Sequence, residues 1–375
     1  MRAVAPGCYV PAMPIRTNRA LLTALGLALA LWFATAVVHA AWTRAGAPPG
    51  LVGLVAPSTP AVSLVRGAGS AGGNDVLAVI AFLAVLAGLA LPALRAGRTG
   101  AAPRVLAVWF AVIAAGWAAA TVSAVALAGS MISYGPVDVL AMGYGEAARA
   151  GCAWGVTYGW VVGLVTVAVA RRGEEPLTVP RPSGALAAAI TAGVVAGVGW
   201  LVVAVAHVSV DDTVDRYVTT ARSQFALAVR VAADWVLPVT TARGAPDAVV
   251  VLSAFLVGAL VGILTWLAAR STVLRGGRLV LFLGVWAAAI VGATVGGLPS
   301  AIASTGLQPE GDGRWAIGQT QLYGPSDGGA SGALYGWIPA LLVLGVLALA
   351  GRRATPAAAE PEPAVAGASA GMSSS

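Results

Sequence analysis

The stretch Gly151–Ala170 reads GCAWGVTYGWVVGLVTVAVA, twenty residues without one Asp, Glu, Lys or Arg, and with glycine at every fourth position as far as Gly163. A helix rises about 1.5 Å per residue, so about 20 apolar residues cross the hydrocarbon core of a bilayer. Lipid offers no partner for backbone N–H and C=O groups, and helix is the open-chain structure that satisfies them internally. The stretch therefore predicts a transmembrane helix. Seven others of the same kind accompany it, giving spans at 20–41, 76–94, 105–128, 150–170, 184–207, 248–269, 279–299 and 332–350.

Composition agrees. The chain of 375 residues is 58% hydrophobic and 10% charged, against roughly 25% charged in soluble domains. All basic residues are arginine, and Ala, Gly and Val abound. That combination suggests a GC-rich genome of actinobacterial character. The net charge of +7 admits a nucleic-acid partner in principle, but no basic run of that type occurs. The arginines cluster instead at span ends, where they orient a membrane protein.

Working outward, the same words recur. Gly155-Val156-Thr157-Tyr158-Gly159-Trp160 returns as Gly332-Ala333-Leu334-Tyr335-Gly336-Trp337, an offset of 332 − 155 = 177. Arg66-Gly67-Ala68 returns as Arg243-Gly244-Ala245 at the same offset. Tyr134-Gly135-Pro136-Val137-Asp138 returns as Tyr323-Gly324-Pro325-Ser326-Asp327 at 323 − 134 = 189, as a deletion of 189 − 177 = 12 residues before the last span would produce. Asp75 and Asp247 open the second and sixth spans, and Arg171-Arg172 and Arg352-Arg353 close the fourth and eighth. The two histidines, His39 and His207, end the first and fifth. The common order predicts an all-α polytopic membrane protein of eight transmembrane helices, arranged as two tandem four-helix repeats. An even number of spans per copy makes the repeat parallel, not inverted.

The expected organisation is a cytoplasmic tail at 1–19, the first repeat at 20–172, the second at 173–353 and a disordered cytoplasmic tail rich in Ala, Pro, Glu and Ser at 354–375. Even-numbered connections and tails hold 14 arginines and 4 acidic residues, net 14 − 4 = +10. Odd-numbered connections hold 8 and 11, net 8 − 11 = −3. The positive-inside rule then places both termini in the cytoplasm of a plasma-membrane protein. The first span resembles a secretory signal around Val38-His39-Ala40, but its apolar run exceeds the usual signal core. Residues 1–12 read as an unstructured extension, leaving Met1 or Met13 as the start. Cys8 and Cys152 fall on opposite sides, which argues against a disulfide framework.

Two features invite function. Gly151, Gly155, Gly159 and Gly163, with Gly328, Gly332 and Gly336, form stripes that let another backbone approach closely. They serve either internal packing or a seam for a partner membrane protein or homo-oligomer. At the other level, Tyr134, Asp138, Tyr323 and Asp327 in the turns lie on the same side as His39 and His207. They form a candidate outer-face cluster, or else each Asp caps its own turn and each His bonds locally. Residues 209–236 carry apolar positions at spacings of three and four, including Val210, Val214, Tyr217, Phe225 and Trp235. This predicts an extracytoplasmic amphipathic helix.

Enzyme signals are poor: no phosphate-binding loop, no His-Glu-x-x-His and no metal-ligand spacing. No Asp, Glu, Lys or Arg lies within a span, where ion-coupled transporters usually keep an ionisable residue. The expectation is a non-catalytic scaffold or assembly factor without cofactor or metal, in contact with the lipid bilayer. The alternative is a permease-like protein passing a neutral or lipid-like molecule between its two halves.

Overall fold

The computed structural model describes residues 14–46, 72–96, 99–128, 146–172, 184–218, 236–237, 239, 245–272, 274–306 and 328–354. They form α1 (Pro14–Arg44), α2 (Gly72–Arg95), α3 (Ala101–Ala128), α4 (Glu146–Ala170), α5 (Ala185–Val218), α6 (Asp247–Ala269), α7 (Leu274–Gly296), α8 (Leu298–Gly306), α9 (Gly328–Tyr335) and α10 (Trp337–Ala354). Among the described residues the structure is helical, with one isolated antiparallel bridge between Thr99 and Thr272. Among the described residues seven helices are long and apolar enough to cross a membrane. The eighth stretch is a bent pair, α9 and α10, meeting at 46°. Pro339 accounts for the bend: it has no N–H for the carbonyl of Tyr335 four residues earlier, and its ring crowds that carbonyl.

α1 and α5 turn a stripe of mainly small residues inward and larger aliphatic residues outward. α1 turns Ala20, Ala24, Ala28, Trp32 and Ala36 inward, while Leu22 and Val37 are exposed. α5 buries Ala188, Ala192 and Trp200 and exposes Val194, Val198 and Val202. Lipid is as apolar as a valine side chain, so burial of large residues gains little, and small side chains win the interfaces by admitting close van der Waals contact.

Two four-membered rings result. α1 packs on α2, α2 on α3, α3 on α4 and α4 back on α1. α5 packs on α6, α6 on α7, α7 on α10 and α10 back on α5. The rings are joined along α3 and α7, the most enclosed of the seven spans. The Phe110 and Trp286 rings meet across this seam at 4.8 Å. At the arginine-rich end, the loops leading into α3 and α7 pair as well: Gly100 N donates to Ser271 O at 2.7 Å beside the Thr99–Thr272 bridge. Arg104 is buried there. It donates from Nη2 to Ala96 O at 2.8 Å and from Nε to Thr99 Oγ1 at 3.1 Å. Its cation thus covers a carbonyl just past the C-terminus of α2, where helix polarity favours positive charge.

One expectation is corrected. The segment after His207 does not begin a separate helix, because α5 runs unbroken from Ala185 to Val218. Nothing between His207 and Val218 breaks a helix, there being neither Gly nor Pro. Ser209 and Thr213 bond back to Val205 O and Ser209 O, each at 2.8 Å. Residues 219–235 of the expected amphipathic helix lie outside the described residues.

Candidate functional site

Each ring is closed by a glycine-lined contact. A Cβ on Gly155 would collide with the backbone of Ile113, and one on Gly332 with the backbone of Ile290. Gly151 is equally close to Gly116, and Gly328 to Ala293. Gly163 leaves 2.8 Å from such a Cβ to Val105 O. Gly159 and Gly336 make room for the indoles of Trp109 and Trp286. Those indoles then donate across the contact, Trp109 Nε1 to Gly155 O at 3.0 Å and Trp286 Nε1 to Gly332 O at 3.2 Å and Ala333 O at 3.1 Å. The glycine faces are thus occupied by α3 and α7 of the same chain.

The inside of the first ring is filled with aromatic rings. Trp32, Phe82 and Trp154 are all buried. Trp32 meets Phe82 at 3.8 Å between centroids in a T-shaped pair, and Trp154 lies 5.6 Å from both. Trp154 Nε1 donates to Thr35 Oγ1 at 3.0 Å, and Thr35 Oγ1 donates to Trp32 O at 2.9 Å. Tyr158 extends the stack, 5.7 Å from Trp154.

The second ring encloses space instead. A cavity of about 310 Å³ is lined by Trp200, Val203, Leu237, Val257, Ser331 and Tyr335, among others, and it reaches the bend at Gly336 and Pro339. Trp32 and Trp200 each stand seven positions before the histidine of their span (39 − 32 = 207 − 200 = 7). Phe82 and Val257 each stand thirteen before an arginine at the span's end (95 − 82 = 270 − 257 = 13). Trp154 and Ser331 are related by the Tyr-Gly-Trp offset (331 − 154 = 177). Phe82 and Trp154 fill the first ring, whereas Val257 and Ser331 border the cavity of the second. The continuous α4 carries Val162 where the bent span carries Pro339 (339 − 162 = 177). Broken helices within a bilayer are tolerated where they line a cavity or are buried in protein.

The lining residues are mainly apolar and carry no charged side chain, with Ser331 and Tyr335 contributing hydroxyl-bearing side chains. Tyr335 donates its hydroxyl to Val236 O. His207, buried on α5, donates from Nδ1 to Leu237 O at 2.8 Å, which fixes the tautomer, since a carbonyl only accepts. Two side chains from two helices thus pin the 236–237 segment, and Leu237 closes one side of the cavity. Trp200 rests its six-membered ring against Gly297, where a Cβ would come within 2.7 Å of Cη2.

Of the outer-face cluster anticipated from sequence, Tyr134, Asp138, Tyr323 and Asp327 lie outside the described residues. His39 is half-buried on α1, and His207 serves the 236–237 segment. Among the described residues no group of three His, Cys, Asp or Glu is placed to hold a metal ion. Sequence reasoning missed Trp200, Val257, Ser331 and Pro339. Their signal was present as departures between matched words, Trp154 against Ser331 and Val162 against Pro339. Compared with known protein families, with curated proteins and with solved structures, the chain gave no match.

Proposed function

We propose that this chain is a non-catalytic, multi-pass membrane protein made by tandem duplication of a four-helix unit, in which the first unit is structural and the second holds an uncharged, lipid-like molecule. The observation that carries the reading is the carbon-lined cavity of the second ring, set against the aromatic plug at corresponding positions of the first. Duplication is supported by contacts that repeat at one offset. Trp109 with Gly155 and Trp286 with Gly332 differ by 177 at both partners, as do Ile113 with Gly155 and Ile290 with Gly332. The joining of the rings through their third spans fits a two-fold relation along the membrane normal.

The site is small, apolar and partly enclosed, with few polar groups, as ligand pockets are. It lies within the second ring and not between the rings, where Phe110 and Trp286 close the seam. A passage between the halves therefore has no support here. A scaffold acting through exposed glycine faces has little, since those faces are covered by α3 and α7. We place both termini on the cytoplasmic side of the plasma membrane from the distribution of arginines. A reporter active only outside the cytoplasm should be silent after Arg353 and active when inserted at 310–315. The opposite pattern would invert the topology.

The binding reading is tested by giving the second ring the residues of the first. Val257→Phe with Ser331→Trp should leave a folded, monodisperse protein and abolish co-purification of hydrophobic small molecules detectable by mass spectrometry. Equal recovery of such molecules from the filled variant would refute the cavity as their site.

A further inference from the structure

Resting on that reading, we infer that the cavity is filled from the side. The uncharged matter it holds is the methyl-terminal end of an acyl chain of a bilayer lipid, which enters between α5 and the bent α9–α10 pair and leaves its headgroup in the surrounding leaflet. The cavity is not sealed from the lipid-facing surface of the bundle. Val202 lines it and is 60% exposed, and Gly199 lines it and is exposed as well. Ile338 of α10 lines it and is half-buried. The gap is bounded at both ends. At the arginine-rich end a Cβ on Gly184, just before α5, would lie 2.7 Å from Ala350 Cβ. At the other end His207 of α5 and Tyr335 of α9 both hold the 236–237 segment.

The first ring has the same place shut. Leu31 and Gly199 each stand eight positions before the histidine of their span (39 − 31 = 207 − 199 = 8). Leu31 is half-buried and packs against the core. Gly199 puts no side chain there, and nothing lies within 4 Å of where its Cβ would stand. The copy with the aromatic cluster thus carries a leucine at its side, and the copy with the cavity carries an opening.

Depth and volume name the occupant. Gly199 is 199 − 185 = 14 residues from one end of its span and 210 − 199 = 11 from the other. The opening is therefore near the middle of a hydrocarbon core about 30 Å thick, where the bilayer's own material is the ends of acyl chains. No charged side chain lines the cavity, so an ionised headgroup would be desolvated there without compensation. An apolar cavity of about 150 Å³ takes a benzene, so one of about 310 Å³ has room for roughly a dozen carbon atoms.

The test places the full chain, deuterated except for its valine methyls, in phosphatidylcholine bilayers. The probe lipid is deuterated except for the terminal methyl of its chains. Val203 and Val257 are buried on the cavity wall, whereas Val198 and Val205 are exposed on α5. Wild type should show nuclear Overhauser transfer from the chain methyl to all four. Gly199→Leu restores the residue of the first ring into open space. It should lower the two interior signals roughly five-fold or more, as overpacking an occupied gap does, and leave the two outer signals unchanged. Interior signals that persist in Gly199→Leu would overturn entry from the side and leave the cavity reading standing. Interior signals missing from wild type would overturn the inference. The cavity reading is then judged separately, by the small molecules that co-purify with wild type and not with the Val257→Phe, Ser331→Trp variant. Should Gly199→Leu fold poorly, wild type decides through a second probe lipid protonated beside the ester. Its protons should reach neither Val203 nor Val257, and equal interior signals from both ends of the chain would overturn the inference.

Discussion

The two helix rings share a frame and differ in what they enclose. Both close through glycine against a neighbouring backbone, both use a tryptophan to donate across that contact, and both place a second tryptophan inside. Inside the first, Phe82 and Trp154 complete a packed aromatic cluster. Inside the second, Val257 and Ser331 leave about 310 Å³ unfilled, and Pro339 bends the span that borders it. The glycine contacts and the α3–α7 seam join the helices of both rings, and in the second the contact residues Gly332 and Gly336 also border the cavity.

The most severe way to break the comparison is at the joints. Gly155→Leu and Gly332→Leu each force a side chain into the backbone of α3 or α7. Each should cost at least about 3 kcal/mol, seen as loss of monodisperse protein on size exclusion. Tolerance at one position and not the other would show that the rings are held differently.

Next in size is the filling itself. Trp154→Ser removes the largest member of the first cluster and the bond to Thr35. It should destabilise by about 3–5 kcal/mol, read as a lowered thermal or detergent-unfolding midpoint. Ser331→Trp puts the same group into existing space and should cost far less. Equal losses would mean that the second ring has no room and that the cavity closes in the membrane.

The bend comes third. Pro339→Val restores the residue that α4 carries at Val162. It should straighten α9 and α10, stabilise the fold by up to about 3 kcal/mol, and weaken probe binding. Spin labels at the two ends of the span would report the lost 46° angle. Straightening with unchanged binding would separate the bend from the site.

The smallest effect sharpens the likeness instead of the difference. Trp109→Phe and Trp286→Phe each delete one indole donor to a glycine carbonyl. Each should cost about 0.5–1.5 kcal/mol, with the two values close to one another in the same unfolding assay.

The membrane character was readable from sequence because it needs only run length and the absence of charge, as in Gly151–Ala170. The glycine stripes were readable as a periodicity, yet what covers them depends on which helix lies opposite. Only packing identifies Ile113 and Ile290 as those neighbours. The bent eighth span was hidden in an apolar run long enough to cross straight, although Pro339 was its cause and stood in plain view. The extension of α5 past His207 was misjudged because a change from apolar to amphipathic pattern looks like a new element, while the backbone continues wherever no Gly or Pro interrupts it.

The sequence by itself determined that the chain crosses a membrane with uncharged helices, and it carried the matched words that align one ring with the other. Those properties are local: they depend on runs, spacings and residue types along the chain. The tertiary structure alone decided where empty space lies. A cavity is a sum over residues from α5, α6, α7, α9 and α10, and Val257 and Ser331 acquire their meaning only when ring closure brings them to one place.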